Sequence, residues 1–206
     1  MGTASLPLYD GTSFAENQDI VFVSFNYRTN VFGFPTARDL PASRNNLGLL
    51  DQELALTWVQ DNIAQFGGDP TKVTIMVRAM SRKVHPLPSL ILLSQGQSAG
   101  SISVSYAITR RKSALAPLFR AGIMLSGVQT AMMTPRTLNF SNFDGFATAM
   151  GCTQPPGTLR LQCLRDIPAS TIRNYTNGPD SGLFTPGVDK LVFYPTSEDM
   201  LTSLVV

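Results

Sequence analysis

The sequence predicts an α/β fold with a mostly parallel sheet and flanking helices. Three short apolar runs rich in β-branched and aromatic residues read as buried strands, and a segment of helical periodicity separates the first two. Strand, helix, strand in that order implies a right-handed crossover, and therefore parallel neighbours.

The first run, Ile20–Asn26 (IVFVSFN), is nearly continuous in apolar side chains, as expected of a strand covered on both faces. Residues 28–46 follow as loop, with Pro35, Pro41 and polar clusters. Across Asp51–Phe66, Leu54, Ala55, Trp58, Val59, Ile63 and Phe66 recur at helical spacing. Asp51 and Glu53 fall in the expected first turn, where carboxylates favour the helix dipole. Gly67-Gly68 ends the helix, because glycine accepts the left-handed cap conformation. Asp69-Pro70 turns the chain into a second strand, Val73–Met76. Ala121–Leu125 (AGIML) is the third strand, and the Pro-, Thr- and Asn-rich residues 129–206 offer helices at Phe143–Met150 and Pro168–Tyr175.

Composition narrows the class. Charged residues are 15% of the 206 and hydrophobic ones 43%, against the roughly 25% charge of soluble domains, which suits a piece of a large, heavily buried body. A net charge of +2 gives no electrostatic case for nucleic acid. The basic runs Arg78…Lys83 and Arg110-Arg111-Lys112 read as solvated loop charge. No apolar run reaches the ~18 residues of a transmembrane helix. MGTASLPLYDG has no apolar core of a signal peptide, and Leu6 breaks the myristoylation pattern. One histidine and two cysteines cannot build a zinc site, so neither metal nor cofactor is expected.

Cys152 and Cys163 flank a Pro-Pro-Gly that can turn the chain back, leaving a local disulfide and two buried thiols both open. Two sequons, Asn139-Phe140-Ser141 and Asn174-Tyr175-Thr176, suit a secreted glycoprotein, where disulfides persist.

The chemistry centres on GQSAG, Gly96–Gly100. A nucleophile elbow needs a buried strand before the serine, a helix after it, and small flanking residues where the chain reverses sharply. Gly96 and Gly100 supply the small residues, and SISVSYAI supplies the helix. In that geometry Ser98 is exposed and the Ala99 amide faces a developing oxyanion. The pentapeptide alone fits a Gly/Ser loop between strand and helix better than an elbow, and its context decides.

Asn46–Met76 (NLGLLDQELALTWVQDNIAQFGGDPTKVTIM) closely resembles the type-B carboxylesterases, the family of fungal secreted lipases and cholinesterases. Val23–Phe34 is similar to their upstream strand and loop, and Leu118–Gly127 to their segment after the elbow helix. The pattern GC…LQCLRDIPA resembles their cysteine pair, which favours the Cys152–Cys163 disulfide. The resemblance implies a partial α/β-hydrolase fold over 1–206, a secreted parent, Ser98 as nucleophile, Ala99 as oxyanion donor, and a small-molecule or lipid carboxylic ester as substrate.

Several parts of that machinery are not found. A serine needs a histidine base and a carboxylate to orient it, and in this fold the order is serine, acid, histidine. His85, the single histidine, precedes Ser98 and reads as a loop residue; Glu198 matches an ordinary surface position. The family's glycine-rich oxyanion strand would lie ahead of Met1, so the chain reads as an internal fragment truncated at both ends. Such a fragment is expected to be inactive.

Val77–Gln95 resembles neither the strand before it nor the elbow after it. Without it the text runs VTIM-GQSAGS, the family's serine pattern with no gap. Valine codons begin GT and a glutamine codon can end AG, so a retained in-frame intron accounts for both junctions. The competing readings are a genuine surface insertion, or Ser89–Ser94 (SLILLS) replacing VTIM as the strand that feeds the elbow. For function, the alternatives are a catalytically dead binding or adhesion module and a non-functional gene-model product. The intact GQSAG favours enzyme ancestry.

Overall fold

The computed structural model describes residues 3–7, 10–76, 99–110, 118–124, 139–179 and 181–187. The chain divides into two compact units, one of Met1–Asn26, Glu53–Met133 and Met200–Val206, the other of Tyr27–Gln52 and Thr134–Asp199.

The first unit carries the sheet. Strands β1 (Thr74–Met76) and β2 (Ala121–Ile123) pair in parallel, with Thr74 opposite Ala121, Ile75 opposite Gly122 and Met76 opposite Ile123. Between them in sequence lies α4 (Ala99–Arg110), which makes a β–α–β unit with parallel strands. The expected crossover, from Ile20–Asn26 through Asp51–Phe66 to Val73–Met76, is not the one formed. Ile75, Val104 and Phe119 form its core, with Leu56, Val73, Ala107, Ile108 and Leu118 packed around them. A short helix, α1 (Thr12–Gln18), precedes the sheet.

Helix α3 runs Leu47–Asn62 and tightens into a 3-10 turn at Ile63–Phe66. Gly67 closes it in the left-handed region (φ 82°), donating to Ala64 O, while the Gly68 N–H reaches Ile63 O at 3.0 Å. Its start corrects the expectation. The helix begins one turn before Asp51, and no carboxylate lies in its first turn. Asp51 is held instead by Arg28, whose backbone N–H, Nε and Nη2 all donate to it at 2.9, 2.8 and 2.6 Å. The apolar face also differs from the expected one. Val59 and Ile63 are buried, whereas Leu54, Trp58 and Phe66 are exposed, Leu54 by 70%.

The Ile20–Asn26 strand is not formed. Among the described residues β1 and β2 bond only to each other, and this run has no ladder partner. Ile20, Val21, Val23 and Phe25 are correspondingly exposed, and Val21–Ser24 line a groove of about 320 Å³ with Trp58, Ile63 and Phe66. An apolar run signals a tendency to be buried; without a neighbour to exchange hydrogen bonds with, it is not a strand.

The second unit is helical: α2 (Asn30–Gly33), α5 (Ser141–Ala149), α6 (Thr158–Asp166) and α7 (Ala169–Asn177). Helices α5 and α7 match the two expected ones within one or two residues at each end; α2 and α6 were not expected. Phe146 is its aromatic hub, with ring centroids 5.8 Å from Phe143, 5.5 Å from Tyr175 and 6.3 Å from Phe184. Cys152 and Cys163 are joined by a disulfide, their Cα atoms 5.8 Å apart, within bridging geometry. Asn46 and the Gly187 backbone exchange reciprocal hydrogen bonds, at 2.8 and 3.1 Å. Two glycines close on one carbonyl here: a Cβ at Gly33 or Gly48 would stand 2.1 or 2.4 Å from Arg28 O.

Candidate active site

Strand β1 and helix α4 are the described elements that stand before and after the serine of GQSAG in sequence. Asp69 stands ahead of β1, its Oδ1 accepting from Thr71 N (2.8 Å) and Thr71 Oγ1 (2.7 Å) and so capping the 3-10 turn Pro70–Lys72. Val73 O then accepts from Arg120 N at 2.7 Å, which sets the register with β2. Gln60 of α3 ties both strand beginnings together, its Nε2 donating to Pro70 O (2.9 Å) and Leu118 O (3.0 Å). One partly buried amide thus satisfies two backbone carbonyls ahead of the two-stranded ladder.

Helix α4 is buried on all sides from Gly100 to Tyr106. Its small residues Ser101, Ser103 and Ser105 are among the buried ones, as expected of a helix lying close to a sheet. The sheet provides for that closeness at Gly122, where a Cβ would stand 2.9 Å from Val104 Cγ1 and 3.1 Å from Ile108 Cδ1. Glycine in an apolar strand marks such an approach.

Ala99 is the first residue of α4, so its backbone belongs to the turn whose amides have no partner within the helix. No acidic side chain occupies that turn to compete for the amides. Such a helix start favours negative charge. Ser98 lies outside the described residues, as do His85, Glu198 and the whole of Val77–Gln95. Of the expected site residues, then, Ala99 is seen at the start of the helix. Among the described residues no cluster of three or more His, Cys, Asp or Glu could hold a metal ion.

Two positioning residues escaped the sequence reading. Gln60 could have been found as a polar residue between Val59 and Ile63, both on the buried face of α3. Gly122 could have been found as the glycine inside AGIML.

The profile of the Carboxylesterase family matches residues 1–79 and 88–204. The chain belongs to the carboxylesterase family. The unmatched residues 80–87 fall inside Val77–Gln95. It is 35% identical over 212 residues to the acetylcholinesterase of Electrophorus electricus, covering 98% of this chain and 30% of that protein. Against secreted lipase 1 of Botryotinia fuckeliana it is 39% identical over 191 residues, covering 85% of this chain and 28% of the lipase. Among solved structures it is similar to a carboxylesterase of Geobacillus stearothermophilus (TM-score 0.67, 33% identity, 93% of this chain and 36% of that one). It is also similar to juvenile hormone esterase from Manduca sexta (TM-score 0.70, 25% identity, 98% and 36%). The fold is therefore a partial α/β-hydrolase fold, and the chain spans about 30% of the length of the curated relatives named here.

Proposed function

We propose that this chain is the nucleophile-bearing part of a serine carboxylic ester hydrolase, with Ser98 as nucleophile and the Ala99 amide as one oxyanion donor. The observation that carries the reading is the start of α4 at Ala99, directly after the serine of GQSAG and one crossover before β2. In the reaction the Ser98 hydroxyl loses its proton to a base, and its oxygen adds to the ester carbonyl. The oxyanion collapses, the alcohol leaves with a proton, and water then releases the acid from the acyl-enzyme. The Ala99 amide, at the start of a helix buried from Gly100 to Tyr106, meets the oxyanion without reorganising.

No histidine follows Ser98 in the 206 residues, so this chain on its own is proposed to be inactive. A positioned base is worth about 10²–10⁴-fold in rate. Val77–Gln95 is read as an insertion into the elbow motif; the family profile passing over 80–87 supports an insertion within it, while 77–79 and 88–95 fall inside the match. A secreted parent is supported by the Cys152–Cys163 disulfide and by relatives that include a secreted lipase. Among the described residues no helix is long and apolar enough to cross a membrane.

A fluorophosphonate probe, which labels activated serines, tests the assignment. The expected result is no labelling of the 206-residue chain, and labelling at Ser98 once Val77–Gln95 is deleted and flanking sequence from a relative is restored. A restored chain that stays unlabelled would sink Ser98 as the nucleophile. Sequencing the spliced transcript across codons 70 to 100 tests the insertion separately.

A further inference from the structure

We infer that Asn139 is an N-glycan attachment site. The inference rests on the secreted-parent reading of the previous section and adds to it the residue and the local geometry. Asn139 stands just ahead of α5, and both it and Ser141 are exposed. The residue between them, Phe140, is partly buried under the Arg38 guanidinium, 4.9 Å from ring centroid to Cζ. The middle of the sequon is anchored to the unit while its two reacting positions face solvent.

The side chain is already oriented. Asn139 Oδ1 accepts from Ser141 N at 3.1 Å and from Ser141 Oγ at 2.7 Å. This Asx turn uses only the carbonyl oxygen of the amide, and no described residue engages Nδ2. Glycosylation takes Nδ2 and spares Oδ1, so the turn that starts α5 survives the modification. In the step, Asn139 Nδ2 bonds to the anomeric carbon of an oligosaccharide carried on a lipid pyrophosphate. The carbon–oxygen bond to phosphate breaks, the pyrophosphate keeps the electron pair, and one amide proton passes to a base of the transferase.

The second sequon fits less well. Asn174 is exposed but lies within α7, and Thr176 is buried. The Thr176 hydroxyl is turned inward to donate to Arg173 O at 3.1 Å. Folded α7 therefore hides the hydroxyl that the sequon requires.

The full chain, carrying an added cleavable secretion signal, is expressed in eukaryotic cells. Occupancy is read by glycosidase-dependent mobility and by peptide mass after deglycosylation in heavy-oxygen water. Both secreted and retained chains are read, so poor export does not hide the result. Asn139→Asp keeps an acceptor oxygen for Ser141, and this variant and Ser141→Ala are each expected to lose one glycan. Ser141→Thr and Asn174→Gln are expected to keep it. An unmodified Asn139 peptide from the wild-type chain overturns the site, as does a glycan surviving in Asn139→Asp and traced to Asn174. A natural protein found outside the secretory route would overturn the localisation reading instead, and that is measured independently.

Discussion

Asp39 and Arg160, 121 residues apart in sequence, meet as a bidentate pair inside the second unit, with the carboxylate fully buried and Arg160 nearly so. Arg160 Nε donates to Asp39 Oδ1 at 2.8 Å and Nη2 to Oδ2, while the Gly157 N–H adds a third bond at 2.9 Å. The same guanidinium reaches Asp144 of α5 at 2.9 Å. Gly157 takes φ 148°, a conformation that L side chains rarely adopt, and so brings its amide to Asp39 as α6 begins. One buried arginine thus ties a loop to two helices. Arg160→Met strands a buried carboxylate and is expected to cost about 3–5 kcal/mol, read by denaturant unfolding. Converting both residues to apolar ones should cost less than that single change.

The same pair sets an acid limit. Burial works to raise the Asp39 carboxyl, but the Arg160 hydrogen bonds, the Gly157 amide and the Arg160 charge outweigh it and hold the group below its ordinary value. Its contribution to stability is therefore complete above the unfolded value of about 3.9 and is lost as pH falls through the lower folded value. Unfolding midpoints measured from pH 6 downward should fall steeply in that acid range (on the order of pH 4 and below), and the fall should be shallower in Asp39→Asn. An equally steep loss in Asp39→Asn would assign the acid transition to other carboxylates.

The disulfide closes a short loop around the turn that places Gly157. Loss of a bridge of this size is expected to cost about 2–4 kcal/mol, with Cys152→Ala and Cys163→Ala alike and not additive. The comparison is made by thermal melts with and without reductant. A reductant effect persisting in the double variant would show that the bridge is not its source.

The legible parts of the fold share a physical trait: they are local. Gly67 as a left-handed cap, the Asp69-Pro70 turn, and β1 and β2 as short apolar runs are each decided within a few residues. The cysteine pair was left open by its spacing and favoured only through the family resemblance. The start of α3 was misread because Asp51 looks like a first-turn carboxylate, and only the distant Arg28 reveals its other use. Ile20–Asn26 was misread because periodicity reports what a run tends to bury and is silent about its ladder partner. Asp39–Arg160 was not legible at all, since no local pattern joins positions so far apart. Near the site, the helix after GQSAG was readable, whereas the role of Gln60 needed the strand ends to be in place.

Gly48 tests the close packing behind the NLGLLDQ stretch. A methyl there would stand 2.4 Å from Arg28 O and 2.6 Å from Phe34 Cζ, and the first of these is backbone that cannot swing away. Gly48→Ala is expected to destabilise by about 1–3 kcal/mol. The contrast is Gly145→Ala, in α5 with nothing within 4 Å of the added carbon, where the helix should gain about 0.5–1 kcal/mol. Both are read as shifts in denaturant midpoint. Equal effects of the two substitutions would show that the Arg28 carbonyl is not closely packed.

The last test concerns the seat of helix α4. Gly122 of β2 faces Val104 and Ile108 of α4, and Val104 is completely buried. A Cβ at 122 requires the Val104 and Ile108 side chains to give way or α4 to move outward, and the latter would carry the helix start at Ala99 with it. Gly122→Ala is expected to cost about 1–3 kcal/mol through overpacking, and Val104→Ala to cost a comparable amount by leaving a void. Together they should recover part of the loss, because the methyl added at 122 occupies space vacated at 104. The coupling is expected between about 0.5 and 3 kcal/mol, measured as a double-mutant cycle by chemical denaturation. Simple additivity would mean that α4 does not rest on Gly122, and the packing argument for a fixed Ala99 amide would lose its foundation.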